Sequence, residues 1–128
     1  MRAFTIGLAL VLLTLIGLAL YAQDKSPAPA KPETVTVKGE VVDLWCFLDH
    51  GGRGEKHKDC AVTCANAGNP IGLVDEKDQA YLLMGAEMHK SMKDDLTKQM
   101  AATVTVKGKL VKSGGLQALY VESMEAAK

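Results

Sequence analysis

The chain opens on a stretch from Phe4 to Ala22 that no charge interrupts, and beyond residue 33 its hydrophobic pattern takes up shorter periods. Valines alternate with polar residues in Thr34-Val35-Thr36-Val37-Lys38. A period of two predicts a half-buried strand over 34–45, interrupted at Gly39 as a bulge or sharp bend interrupts a ladder. Gly51-Gly52-Arg53-Gly54 breaks the chain. Residues 55–67 then read as a short helix closed by Gly68, and Asn69-Pro70 prevents its continuation. Two short strands, 71–74 and 80–84, flank the polar turn Asp75-Glu76-Lys77-Asp78. Met88, Met92, Leu96 and Met100 recur every four residues, which predicts an amphipathic helix over 89–99 with Met88, Met92 and Leu96 on its core side. The last strands are 103–111 and 116–123, joined by Ser113-Gly114-Gly115.

One pentapeptide occurs twice. Val35-Thr36-Val37-Lys38-Gly39 returns as Val104-Thr105-Val106-Lys107-Gly108. Two copies do not make a repeat protein. They predict two strands in similar positions, each bent at a glycine to turn a barrel corner. With the 55–67 segment treated as an insertion, the element order is β-β-β-α-β-β. The expected fold is mostly β: a five-stranded OB-fold-like barrel with one helix between strands 3 and 4 and a short Cys/His-bearing helix inserted after strand 1. In element order and in its V-x-V-x-G strands the chain resembles small exported OB-fold proteins of bacteria, over nearly all of its length beyond the leader.

The N-terminus decides the compartment. Arg2 precedes the apolar stretch, and the next charge is Asp24. That is the layout of a secretory signal, with cleavage after Ala22. The stretch is also about as long as the ~20 residues that span a bilayer, so retention as an N-terminal anchor is the competing reading. No cysteine lies near the boundary, which excludes a lipid-modified cysteine anchor. Residues 23–33, with Pro27, Pro29 and Pro32, form an extended Pro/Ala linker. The folded domain is expected over 34–126, in the periplasm or otherwise outside the cytoplasm, touching membrane only through residues 1–22 if these are uncleaved. The chain has zero net charge. A protein that binds nucleic acid through its phosphates needs a basic surface, so that class is excluded.

The candidate chemistry sits in one segment. Cys46, His50, His57, Cys60 and Cys64 include all three cysteines and two of the three histidines. On a helix, steps of three and four residues place His57, Cys60 and Cys64 within ~60° of one another. Cys46 comes from the end of the first strand and can supply a fourth ligand. The set C-x13-C-x3-C with H-x2-C suits a soft or borderline cation, Zn2+ ahead of Cu+, at Cys46, His57, Cys60 and Cys64. His50 is either a replacement ligand or a loop residue. The strings G-E-V-V-D-L-W-C-F-L, H-K-D-C-A-V-T-C-A and G-N-P-I-G-L also resemble a pattern recurring in small exported bacterial proteins. That resemblance implies that the four residues act together; it names neither an activity nor a metal.

Other readings compete. Exported cysteines usually form disulfides, and a bridge from Cys46 to Cys60 or Cys64 would leave one free thiol. The chain is then a ligand- or partner-binding barrel, with an exported protein as the expected partner, whose cysteines staple the inserted helix. C-x-x-C and C-x-x-C-H are absent, and a fourth cysteine for an iron–sulfur cluster is missing. No Cys/His/Asn signature supports a nucleophilic enzyme, so a non-catalytic module is expected. Met84, Met88, Met92 and Met100 with His89 form a thioether set for Cu+, against which stands an ordinary core-facing stripe. Trp45 and Phe47, by strand alternation, face away from Cys46, with at least one in the core. Asp43 and Asp49 read as turn or surface acids.

Overall fold

A computed structural model describes residues 31–127. The leader 1–22 and the linker as far as residue 30 lie outside the described residues. Glu33, expected to end the linker, already pairs in the first strand.

The elements are β1 (Glu33–Asp43), α1 (Leu44–His50), a 3-10 turn (Glu55–His57), α2 (Lys58–Asn66), β2 (Ile71–Asp75), β3 (Ala80–Gly85), α3 (Lys93–Lys98), β4 (Thr103–Ser113) and β5 (Leu116–Ala126). The five strands close into a barrel in the order β1-β2-β3-β5-β4, with β4 returning to β1. All neighbours are antiparallel except β3 and β5, which run parallel. The fold is the expected OB-like barrel, with α3 between strands 3 and 4 and the Cys/His-bearing helical segment after strand 1.

The duplicated pentapeptide is the seam that closes this barrel. Val35 lies opposite Gly108, Val37 opposite Val106 and Gly39 opposite Val104. Each copy therefore pairs with the other, antiparallel, about the Val37/Val106 position. Both glycines mark places where the ladder changes. Gly39 pairs with Val104 on one side and Asp75 on the other, so β1 passes from one neighbour to the next there. Between Lys107 and Gly108 the register against β5 shifts. A Cβ at Gly39 would press on the Val74 carbonyl, and one at Gly108 on the Tyr120 carbonyl, each closer than the 3.0 Å that real side chains respect. Close backbone approach at a barrel corner demands glycine at both.

Alternation along the strands fills the interior. Val41, Leu73, Leu83, Val104, Val106, Leu119 and Val121 form the core, with Ala61 and Ala65 from α2 and Leu96 and Met100 from the α3 segment. The β2–β3 turn is fixed by Asp75, whose Oδ1 accepts from the Lys77 and Gln79 amides at 2.8 and 2.9 Å.

Three expectations change. The first strand stops at Asp43, because its carboxylate accepts from the Cys46 amide at 2.8 Å and caps a helix where continued strand was expected. The segment read as one helix over 55–67 is a 3-10 turn followed by α2. The methionine helix is only Lys93–Lys98, and His89 takes a left-handed φ of 66° ahead of it. Leu96 and Met100 are buried and Met92 is half-buried, but Met88 is 85 % exposed. A four-residue spacing places side chains on one face only while the chain is helical, and at Met88 it is not.

Candidate metal centre

Cys46 is placed by the cap that ends β1. Asp43 is the N-cap of α1 and is itself buried, not at the surface as expected. The helix closes at Gly51 with φ 70°, whose amide donates to the Phe47 carbonyl, while Gly52 donates to the Cys46 carbonyl. Between these ends the seven-residue helix turns Cys46 inward, 1 % exposed, and Trp45 outward, 58 % exposed. Neither aromatic neighbour is in the closed core: Phe47 is half-buried beneath Arg53, whose guanidinium carbon lies 5.9 Å from the ring centre. Helical rotation of ~100° per residue, in place of strand alternation, explains this division.

Arg53 also fixes the loop. It pairs with Asp78 at 2.6 Å and with Glu40 at 3.5 Å, and the Gly54 amide donates to the Glu40 carboxylate. The loop is thereby tied to β1 and to the β2–β3 turn. Helix α2 follows. Its buried Ala61 and Ala65 face the barrel, and Cys60 and Cys64 occupy the adjacent stripe. The Asn69 amide donates to the Cys64 carbonyl at 3.1 Å, which ends the helix next to β2.

These supports bring the three thiols together. Cys46 Sγ lies 3.7 Å from Cys64 Sγ and 4.0 Å from Cys60 Sγ, and all three sulfurs are within 4.8 Å of one another. The three cysteines are free. A disulfide requires about 2.05 Å. Tetrahedral coordination with metal–sulfur bonds of ~2.3 Å separates neighbouring sulfurs by ~3.8 Å, and the observed spacings bracket that value.

His57 does not join this thiol group. It belongs to a second group with Cys46 and His50, again within 4.8 Å of one another. The four residues expected to share one ion are thus divided between two sets that meet at Cys46. The cause is local: His57 ends the 3-10 turn and caps α2, so the regular helical stripe starts after it. The rings of His50 and His57 meet edge to face with centres 5.2 Å apart. His50 belongs to the cluster; its place among all five donors in the segment was the only signal for it in the sequence.

Electrostatics favour a cation. Burial, followed by the Asp43 carboxylate and the two other thiols, pushes the Cys46 pKa far above the ordinary thiol value of 9.0. At Cys64 the hydrogen bond with Cys46 acts downward, but burial, Asp43 and Cys60 outweigh it and its pKa is also raised. Both groups are thiols near neutral pH without a cation, and a coordinating metal reverses that preference. Among the described residues, two buried polar atoms, Asp43 Oδ2 and His57 Nε2, have no hydrogen-bond partner. A buried anion beside clustered thiols is compensated most directly by positive charge.

No family model, curated protein or solved structure matches the chain.

Proposed function

We propose that this protein is a small exported metal-binding module that holds Zn2+, or alternatively Cu+, on Cys46, Cys60 and Cys64, with His57 as a further donor beside Cys46. The single observation that carries this reading is the pair of Sγ distances from Cys46, 3.7 and 4.0 Å, with the third sulfur in the same group. They are too long for a disulfide and suited to a shared cation. Nitrogen donors beside thiolates favour zinc; three thiolates also satisfy Cu+. Arg2 and the uncharged stretch that follows support export, to the periplasm or an equivalent compartment, with or without a retained anchor.

The role is non-catalytic. A bound ion fastens α1 and α2 to each other, which matters in a domain with so small a core. The test is elemental analysis of the protein recovered from the exported compartment, with a free-thiol count on the same sample. Bound zinc or copper with all thiols protected is expected. One free thiol per chain and no metal would establish instead a partner-binding barrel stapled by a Cys46 disulfide.

A further inference from the structure

Two donor sets share one atom in this protein. Cys46 Sγ belongs to the thiol group with Cys60 and Cys64 and equally to the group with His50 and His57. We propose that the segment is a two-ion site in which the Cys46 thiolate bridges one Zn2+ bound by Cys60 and Cys64 and a second bound by His50 and His57. This rests on the metal-binding reading above and extends it to the histidine side.

Three observations support the second ion independently of the thiol spacings. The first is the orientation of His50. Its Nδ1 meets Asp49 Oδ2 at 3.1 Å, so the carboxylate takes one ring N–H and leaves Nε2 as the free donor. Carboxylate–histidine pairs of this kind fix the tautomer of metal-bound imidazoles. The second is the packing of His57. Its Nε2 is buried without a hydrogen-bond partner, and a Cβ at Gly52 would sit 2.5 Å from that atom. Gly52 therefore makes room for the ring at this position, one residue after the turn that ends α1.

The third is charge. Three thiolates and the buried Asp43 carboxylate together carry four negative charges. One divalent ion would leave a net charge of two negative units on a group in which Asp43 and Cys46 are each only 1 % exposed, although Cys60 reaches solvent. Two divalent ions neutralise the set, and buried charge is tolerated only when compensated. Each ion has three protein donors, so one tetrahedral position on each is left to water or an incoming ligand.

The experiment uses the full chain, reduced and metal-free, loaded with Zn2+ alone and passed through gel filtration before the retained zinc is counted. Two ions per chain are expected. His50→Gln and His57→Gln are each expected to retain one, Cys60→Ser with Cys64→Ser one, and Cys46→Ala none. Circular dichroism of each metal-free variant checks the barrel. Should His57→Gln fail to fold, His50→Gln decides, because His50 is exposed. A wild-type chain that retains one zinc, unaffected by either histidine variant, overturns the two-ion proposal and leaves the single thiolate site standing. One zinc weakened by His57→Gln but not by His50→Gln overturns it too, and makes His57 the fourth ligand of the thiolate ion. No zinc on the wild type overturns both this proposal and the metal-binding reading.

Discussion

The β1–β2 and β3–β4 connections both carry helix, both hold soft or nitrogen donors, and they use them in opposite ways. In the β3–β4 connection Leu96 and Met100 enter the barrel core, while Met88 and His89 stand in solvent on non-helical backbone. Its sulfur atoms are dispersed between core and surface. In the β1–β2 connection the sulfurs of three residues, drawn from two helices, converge within 4.8 Å. The difference lies in what each segment is tied to. In the β3–β4 connection backbone hydrogen bonds with Val41 hold Ala101 and Ala102, but the methionines ahead of them are sorted by apolar burial, which is non-directional and distinguishes only inside from outside. The β1–β2 connection is tied by directional contacts: the Asp43 cap, the Gly51 and Gly52 amides, and the Arg53 pairs with Glu40 and Asp78. Directional ties fix where an atom points, and a metal site needs that.

The comparison breaks most visibly at Met100. Met100→Ala removes a fully buried side chain and is expected to cost about 2–5 kcal/mol in denaturant unfolding, with zinc content unchanged. Loss of zinc from this variant at temperatures where the barrel remains folded would mean that the two connections are coupled.

A smaller loss of stability with a larger loss of metal is expected in the β1–β2 connection. Asp43→Ala removes the cap of α1 and is expected to cost about 1 kcal/mol, while weakening zinc retention because Cys46 is no longer held inward. Asp43→Asn keeps an acceptor for the Cys46 amide and should restore most of the stability. Equal zinc retention in Asp43→Ala and wild type would show that the cap does not position the site.

The third difference appears with pH. Folded-state pKa values of Cys46 and Cys64 lie above the ordinary 9.0. As pH rises past about 9 the unfolded chain releases these protons while the native chain keeps them, so the metal-free protein loses stability with rising pH. Below that value the contribution is fully present. Zinc-bound thiolates carry no proton to retain, so the loaded protein should lack this component, and zinc affinity should fall as pH is lowered. Melting curves of both forms, with Cys46→Ala as control, measure it. An identical alkaline loss in wild type and Cys46→Ala would assign the effect elsewhere.

The smallest effect is expected at Met88. Met88→Ser changes an exposed side chain and should alter stability by less than about 0.5 kcal/mol, with metal content unchanged. A loss of copper binding on this substitution would revive a thioether site in the β3–β4 connection.

Much of the fold was legible in the chain. The alternation around Val35, Val37, Val104 and Val106 gave the strands, and Gly39 and Gly108 gave the corners. Residues near element ends were harder to read. Asp43-Leu44-Trp45-Cys46 fits a strand by hydrophobicity and a capped helix by its aspartate, and only the Cys46 amide within reach of that carboxylate decides between them. The five candidate donors were visible as a cluster of residue types. Their partition was not, because a 3-10 turn at Glu55–His57 rotates His57 out of the α2 stripe without any change in composition.

The sequence by itself determined the order of strands and helices along the chain, through period-two alternation and glycine breaks, and it determined that thiol and imidazole donors crowd into the segment after strand 1. These follow from local preference and spacing along the chain. Tertiary structure alone decided that the two V-T-V-K-G strands pair with each other, that Cys46 faces inward from a helix, and that it meets Cys60 and Cys64 on one side and His50 and His57 on another. Those are distances between atoms of residues as many as 77 positions apart in the β1–β4 seam and up to 18 apart in the cluster. Spacing along a chain fixes direction only within one regular element; between elements, caps, turns and packing set it.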